Sequence, residues 1–484
     1  MKLHNYISLL FIASAFVAMG QNESDALKFS QFIPSGTARY TAMGGAFSAL
    51  GGDLSVMATN PAGTGLYRKN DIGLSTAWTN NTTDSKYMGV GRNAEKSSFQ
   101  LSNMGFVAVT PTNTSGWKSI NFGFAYNHLN DYNRTVSIQG NNLESSMLDY
   151  QVDYLNSNSD QADNNAYYLA DAIYYDTVIK RYVNDYQHPV SNYGAEQMHQ
   201  LVTGGYAGEY DFNVSGNYND VLYVGATMAF QHINYNQTTF HSETPFNETP
   251  STSLALHTFS SSDYLSAKGN GFSLKLGMLY KITHALRIGA AIHTPTFYNF
   301  EYDYRTNVNA TVKYKDNGVF DNTGESPVGY YEWDFKAPAR YILSSSYIIG
   351  DMGVVSGEIE YLDYSNMNIS AVDYYFVEEN QNIKNIYDKA VNARLGAEVK
   401  LGIASLRGGV GYLDSPYKST EPNADAYKLL FSGGLGINMG IAYFDASYQY
   451  ITGDEYYYMY GYESSKVDIS NRNHKFMTTL GLRF

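Results

Sequence analysis

From Asp71 to the last residue the chain alternates in polarity with a period of two. Ile72, Leu74, Thr76 and Trp78 share one face of an extended segment, and Gly73, Ser75, Ala77 and Thr79 share the other. The pattern predicts fourteen strands, near 71–79, 98–109, 117–138, 208–218, 221–235, 264–281, 285–304, 331–348, 353–371, 390–400, 404–414, 426–437, 440–452 and 469–484. In the last of these Phe476, Thr478, Leu480, Leu482 and Phe484 oppose Met477, Thr479, Gly481 and Arg483. In the segment from 264, Phe272, Leu274, Leu276 and Met278 oppose Ser273, Lys275 and Gly277.

The connections sort by parity. Asn219-Asp220, Ile282–His284, Ile349–Met352, Leu401–Ile403 and Asn438-Met439 are tight turns, and Pro111–Gly116 is only slightly longer. Long polar stretches at 80–97, 139–207, 236–263, 305–330, 372–389, 415–425 and 453–468 alternate with them. A barrel in a membrane has short turns on one side and long loops on the other, and it leaves no unpaired strand edge in hydrocarbon. The fold class expected is all-β: a 14-stranded antiparallel transmembrane β-barrel in the bacterial outer membrane, its outer face against lipid.

What precedes the strands is different in kind. Residues 1–20 read as a signal peptide, with Lys2, an apolar run over Tyr6–Ala18 and small residues at Ala18 and Gly20. Residues 21–70 read as a hatch filling the lumen of the barrel formed by 71–484, with Ala26–Phe32 as a short helix. Its centre, Gly44–Gly65, is small-sided enough for close approach to a surrounding wall and holds the corner Asn60-Pro61-Ala62-Gly63. Tyr and Gly are abundant, at 46 and 43 residues, and cysteine is absent, which excludes a disulfide framework and a lipid-anchored cysteine. Loss of Lys2 takes the formal charge from −14 to −15, which argues against nucleic acid as a partner.

With hatch, strands and terminal Phe484 assembled, the chain resembles the FadL/TodX family of outer-membrane transport proteins for hydrophobic compounds. The matching residues run from Ala42-Met43-Gly44-Gly45-Ala46 through Thr59-Asn60-Pro61-Ala62-Gly63-Thr64-Gly65. The resemblance implies passive uptake of small hydrophobic ligands such as long-chain fatty acids or aromatic hydrocarbons. Extracellular loops catch the ligand, and a shift of the hatch releases it, in some members sideways through the wall. The family's ligand-catching loops follow strands five and seven, where 236–263 and 305–330 lie, whereas the longest loop here is 139–207. Two other readings stay open: a secretion-associated barrel of this family that shuttles a protein client, and a heme-uptake receptor.

Candidate site residues follow. Asn60, Pro61, Ala62 and Gly63 are the expected gate, packed to seal and held by few bonds. Arg340, Glu358, Glu360, Arg394, Glu398, Arg407 and Asp445 face inward, and tight hairpins bring Arg340 to Glu360 and Glu398 to Arg407. In a water-filled lumen each pair is worth about 0–1 kcal/mol. Alternation fails at Ser102, Asn103, Met104 and Gly105, so a bulge or lateral opening is expected there or at the facing Gly123. Tyr298, Tyr302, Tyr304, Tyr330, Tyr331 and Tyr456–Tyr460 read as interfacial girdles. Within 139–207, residues 163–183 keep helical spacing and offer a surface for a protein partner, and His188, His241 and His257 fall in loops. No hydrolase, zinc-protease or phosphate-loop motif occurs, so neither enzyme activity, cofactor nor metal is expected.

Overall fold

The computed structural model describes residues 22–157, 175–176, 181–182, 194–247, 254–314 and 318–484. The leader at 1–20, nearly all of the helix-patterned segment 163–183, His188 and the Asp316-Asn317 turn lie outside the described residues.

Among these residues the wall has fourteen strands: β1 Asp71–Tyr87, β2 Val90–Pro111, β3 Trp117–Asp131, β4 Ala195–Tyr218, β5 Leu222–Pro245, β6 Leu254–Lys281 and β7 Leu286–His293 form the first half. The second half is β8 Arg340–Ile349, β9 Gly353–Asp363, β10 Lys389–Leu401, β11 Ala404–Leu413, β12 Lys428–Asn438, β13 Ala442–Tyr458 and β14 Lys466–Arg483. Each pairs antiparallel with its neighbour, and β1 closes the ring on β14, from Asp71↔Arg483 to Lys86↔Asp468. Outward residues such as Leu276, Leu395 and Leu480 are exposed, and their in-facing neighbours Lys275, Arg394 and Thr479 are buried. An apolar belt outside and polar groups inside is the arrangement of a barrel in a bilayer.

Several stretches expected to be loops are strand. The 80–97 stretch continues β1 and β2 to a hairpin at Met88-Gly89, both with positive φ. β5 and β6 fill most of 236–263, Phe297–Tyr314, Gly318–Glu325 and Gly329–Lys336 fill most of 305–330, and β13 and β14 extend into 453–468. Beyond the bilayer both faces of a strand may be polar, so Asn80-Asn81-Thr82-Thr83-Asp84 hides its alternation, although Thr79, Thr83, Ser85 and Tyr87 remain buried inside. In 139–207, Arg134–Asn142 pairs with β4 and is followed by a helix, Met147–Ser157. Val377–Ile386 is a helix within 372–389.

The hatch has three helices, α1 Glu23–Ser30, α2 Ala38–Ala42 and α3 Val56–Thr59, then a 3-10 turn at Pro61–Leu66. The Asn22 side chain caps α1 by accepting from the Ser24 and Asp25 amides. Phe29 of α1 enters an aromatic core, 4.7 Å from the Phe300 ring, which stacks on Trp333 at 4.8 Å. Tyr298, Tyr302 and Tyr304 join this core, so these three are internal packing rather than girdle; Tyr331 stacks on Tyr304 at 5.5 Å and is half-exposed, and Tyr330 is exposed. Tyr298, Tyr302 and Tyr304 share the parity of Phe300 along the strand Phe297–Tyr314, and that sets their direction.

Candidate functional site

The corner at Asn60 is seated by the wall. The Asn60 amide donates to the carbonyls of Ser48 (2.7 Å) and Met278 (3.2 Å), and its oxygen accepts from the Ala62 amide (3.2 Å). Pro61 starts the 3-10 turn, where a missing N–H costs nothing. Two wall glycines make room: a Cβ on Gly277 would lie 2.0 Å from the Asn60 oxygen, and one on Gly225 2.5 Å from the Pro61 carbonyl. Gly396 and Gly409 give the same clearance to Met43, and Gly434 to Ala42.

The hatch is bonded around its whole circumference, not held by few bonds. Ala38 donates to Thr479, Gly44 and Ser48 to Ser432 and Glu358, and Asn121, Arg287 and Arg340 donate to the carbonyls of Thr64, Leu50 and Ser30. Lys275 and His293 bond the last two carbonyls of α3, those of Ala58 and Thr59.

The inward charges form two networks. Arg340 meets Glu360 at 3.0 Å, and Arg394 bridges Glu358 (2.7 Å) and Glu360 (3.1 Å). Glu398 holds both Arg407 (2.6 Å) and the hatch residue Arg39 (2.9 Å), and Arg407 also reaches Asp445 (2.6 Å). Glu398 and Arg407 side chains are 2% and 6% exposed, so these pairs are dry, and the 0–1 kcal/mol of a wet lumen does not apply. A third cluster, Lys275 with Glu209 and Asp211, was not singled out from sequence: β4 and β6 are separated by β5, and hairpin register relates adjacent strands only.

The wall is interrupted at β2. Its ladder with β1 skips Ser102, and its ladder with β3 stops at Asn103↔Asn127, beyond which β3 shifts register against β4 at His128–Asn130. The hatch lies against this break: the Ser102 hydroxyl donates to the Gly36 carbonyl (2.8 Å) and lies 3.3 Å from the Ser35 hydroxyl. Met104, Gly105 and Gly123 sit in regular pairing, and Gly123 faces Met57 of α3.

Above the hatch is a cavity of about 620 Å³, within the range of about 300–1,000 Å³ usual for small-molecule sites. Asn22, Glu23, Asp25 and Lys28 of the α1 region form part of its lining, so the plug itself is its floor. Burial, with Glu379 and Asp25 nearby, raises the Glu23 pKa above the ordinary carboxyl value. Tyr457 and Tyr460 belong to the lining and to a buried polar network behind it. There His199 bonds Tyr457 (3.0 Å) and His241 (3.3 Å), and His241 bonds Glu243 (2.9 Å). Glu243 accepts from Ser146 and from the Met147 amide that opens the 147–157 helix. His241 is thus on a strand and braced, not loose in a loop. The His199–His241 pairing was hidden because 195–207 carries no lipid-facing apolar stripe.

No family model matches the chain, and no curated protein matches it. Solved structures do. A FadL homologue of Pseudomonas aeruginosa aligns at TM-score 0.55 and 12% identity, over 94% of this chain and 99% of that one. The P. putida toluene transporter TodX aligns at 0.52 and 13% identity, over 93% and 99%. The CymD monoaromatic hydrocarbon channel aligns at 0.50 and 14% identity, over 93% and 98%. The chain has the fold of the FadL and TodX barrels.

Proposed function

We propose that this protein is an outer-membrane channel for a small hydrophobic molecule, gated by its N-terminal hatch. The observation that carries this reading is the floor of the cavity. A molecule held there touches α1 of the plug, so binding and plug position are coupled directly. The exposed apolar belt supports a membrane setting, and the neighbours described as a toluene transporter and a monoaromatic hydrocarbon channel support transport of this general kind. In this account the gate is the Asn60–Gly63 corner with the bonds that seat it. The exit is the interruption at Ser102–Asn103, which the hatch covers through Gly36. The test removes the plug. Deleting residues 21–67 leaves the barrel heat-modifiable on a gel and admits small sugars to proteoliposomes that the full-length protein excludes. Equal sugar permeability in the two would overturn the gate.

A further inference from the structure

One arc of the short-turn rim carries a charge imbalance. The end of the hatch and the turns joining β2 to β3, β4 to β5 and β6 to β7 meet there, tied by backbone bonds from Asn219 to the Gly116 carbonyl and from Lys281 to the Val221 carbonyl. Together they bring five cations, Arg68, Lys69, Lys118, Lys281 and Arg287, to the single carboxylate of Asp220. The chain as a whole is the reverse, with 32 Lys and Arg against 46 Asp and Glu. The remaining short turns offer one cation, Lys400, and one carboxylate, Asp351, so the excess is local.

The cations converge on the rim at Asp220. Arg68 pairs with it, both side chains about half exposed, and Lys118 and Lys281 face the same carboxylate. Arg287 stands directly opposite Lys281 across the β6–β7 hairpin and faces Arg68. One carboxylate cannot neutralise this set, and the arc presents a net positive field. Its neighbours are those of a membrane interface. Lys118 shares the outward face of β3 with Ile120 and Phe122, and Trp117 packs against the exposed Tyr218 at 5.4 Å. Val221, Tyr280 and Ile282 are exposed beside the cations. Aromatic rings that end an apolar belt mark headgroup depth, where Lys and Arg stems lie along the belt with their charges in water. An anionic amphiphile meets both halves of this surface, whereas a soluble acidic protein would meet only the cations.

We propose that this arc binds anionic phospholipid of the leaflet on the short-turn side, with headgroup phosphates at Arg68, Lys118 and Lys281 and acyl chains along Tyr218, Tyr280 and Ile282. The inference rests on the membrane reading of the channel and names a lipid partner for it. Arg68 and Lys69 lead from the hatch into β1, so the lipid holds the end of the hatch that is joined to the wall.

The test is tryptophan quenching in vesicles of equal parts phosphatidylcholine and phosphatidylglycerol, with one lipid or the other brominated. The chain has three tryptophans and Trp333 is buried, so Trp78→Phe leaves Trp117 as the reporter at the arc. Phosphatidylglycerol is expected to be enriched about fivefold over phosphatidylcholine at Trp117. Lys118→Gln with Lys281→Gln should bring that ratio close to one, as should high salt. Trp78, read in Trp117→Phe, lies beside Phe476 in the apolar belt and is expected to show no preference. A ratio near one at Trp117 with the cations intact would overturn the lipid inference in favour of a soluble acidic partner and leave the channel reading standing. Quenching of neither tryptophan by either lipid would overturn the membrane setting, and both readings with it.

Discussion

Gly277→Ala tests the seat of the hatch with a single methyl group. The new Cβ would stand 2.0 Å from the Asn60 side-chain oxygen, 2.9 Å from Pro61 Cδ and 3.0 Å from the Ala62 nitrogen. The wall cannot yield easily, since Gly277 pairs with Gly225 on one side and Ala291 on the other. The corner must therefore retreat by about 1 Å. Overpacking of this kind costs about 1–3 kcal/mol. Retreat also stretches the 3.2 Å bond from Asn60 to the Met278 carbonyl, worth about 1 kcal/mol. Together some 2–4 kcal/mol is lost from the seated state alone, which shifts the seated-to-displaced ratio by roughly 30- to 1,000-fold. Gly433→Ala is the control, because its nearest neighbour would be a carbonyl 3.7 Å away. In a liposome-swelling assay with a small sugar, Gly277→Ala should leak and Gly433→Ala should not, with both barrels heat-modifiable. Equal, wild-type tightness in the two would refute the seating argument.

Two further outcomes follow from the charges. Glu398→Gln leaves Arg39 and Arg407 without their shared carboxylate, and removing one partner from a dry network should lower unfolding stability by about 3 kcal/mol; an unchanged urea midpoint would contradict that. The raised Glu23 pKa favours the neutral acid in the folded state, so its stabilisation is complete below the unfolded carboxyl pKa of 4.5 and is lost as pH rises through the higher folded value. Glu23→Gln should therefore raise the urea midpoint at about pH 8 and leave it unchanged at about pH 4; a gain equal at both pH values would contradict the assignment.

Much of the membrane wall was legible because lipid imposes a period of two: Leu395 and Val399 outside, Arg394 and Glu398 inside, follow from alternation alone. The same rule failed where lipid ends. Asn80–Asp84 faces water on one side and the lumen on the other, so its strand left no apolar stripe to read. Tyr298, Tyr302 and Tyr304 were read outward because aromatic residues at strand ends serve as girdles, whereas here Phe29 of the hatch draws them inward. The hatch corner was visible as a motif, but its seat was not: Gly225 and Gly277 acquire meaning only once β5 and β6 are set beside Pro61 and Asn60. The cavity draws on every quarter of the chain, from Asn22 to Asn473, and no local pattern reports it.

The central claim is that the hatch must move for ligand to pass, and a reversible lock tests it most directly. The Ser35 and Ser102 hydroxyl oxygens lie 3.3 Å apart, one on the hatch and one at the break in β2, and the chain has no native cysteine to interfere. Ser35→Cys with Ser102→Cys can tie the two by a disulfide. Whole-cell uptake of a small aromatic hydrocarbon such as toluene is then measured in the oxidised and the reduced variant. The account predicts that oxidation lowers uptake to the level of cells lacking the barrel and that reductant restores it. Wild-type uptake by the fully cross-linked protein would contradict it.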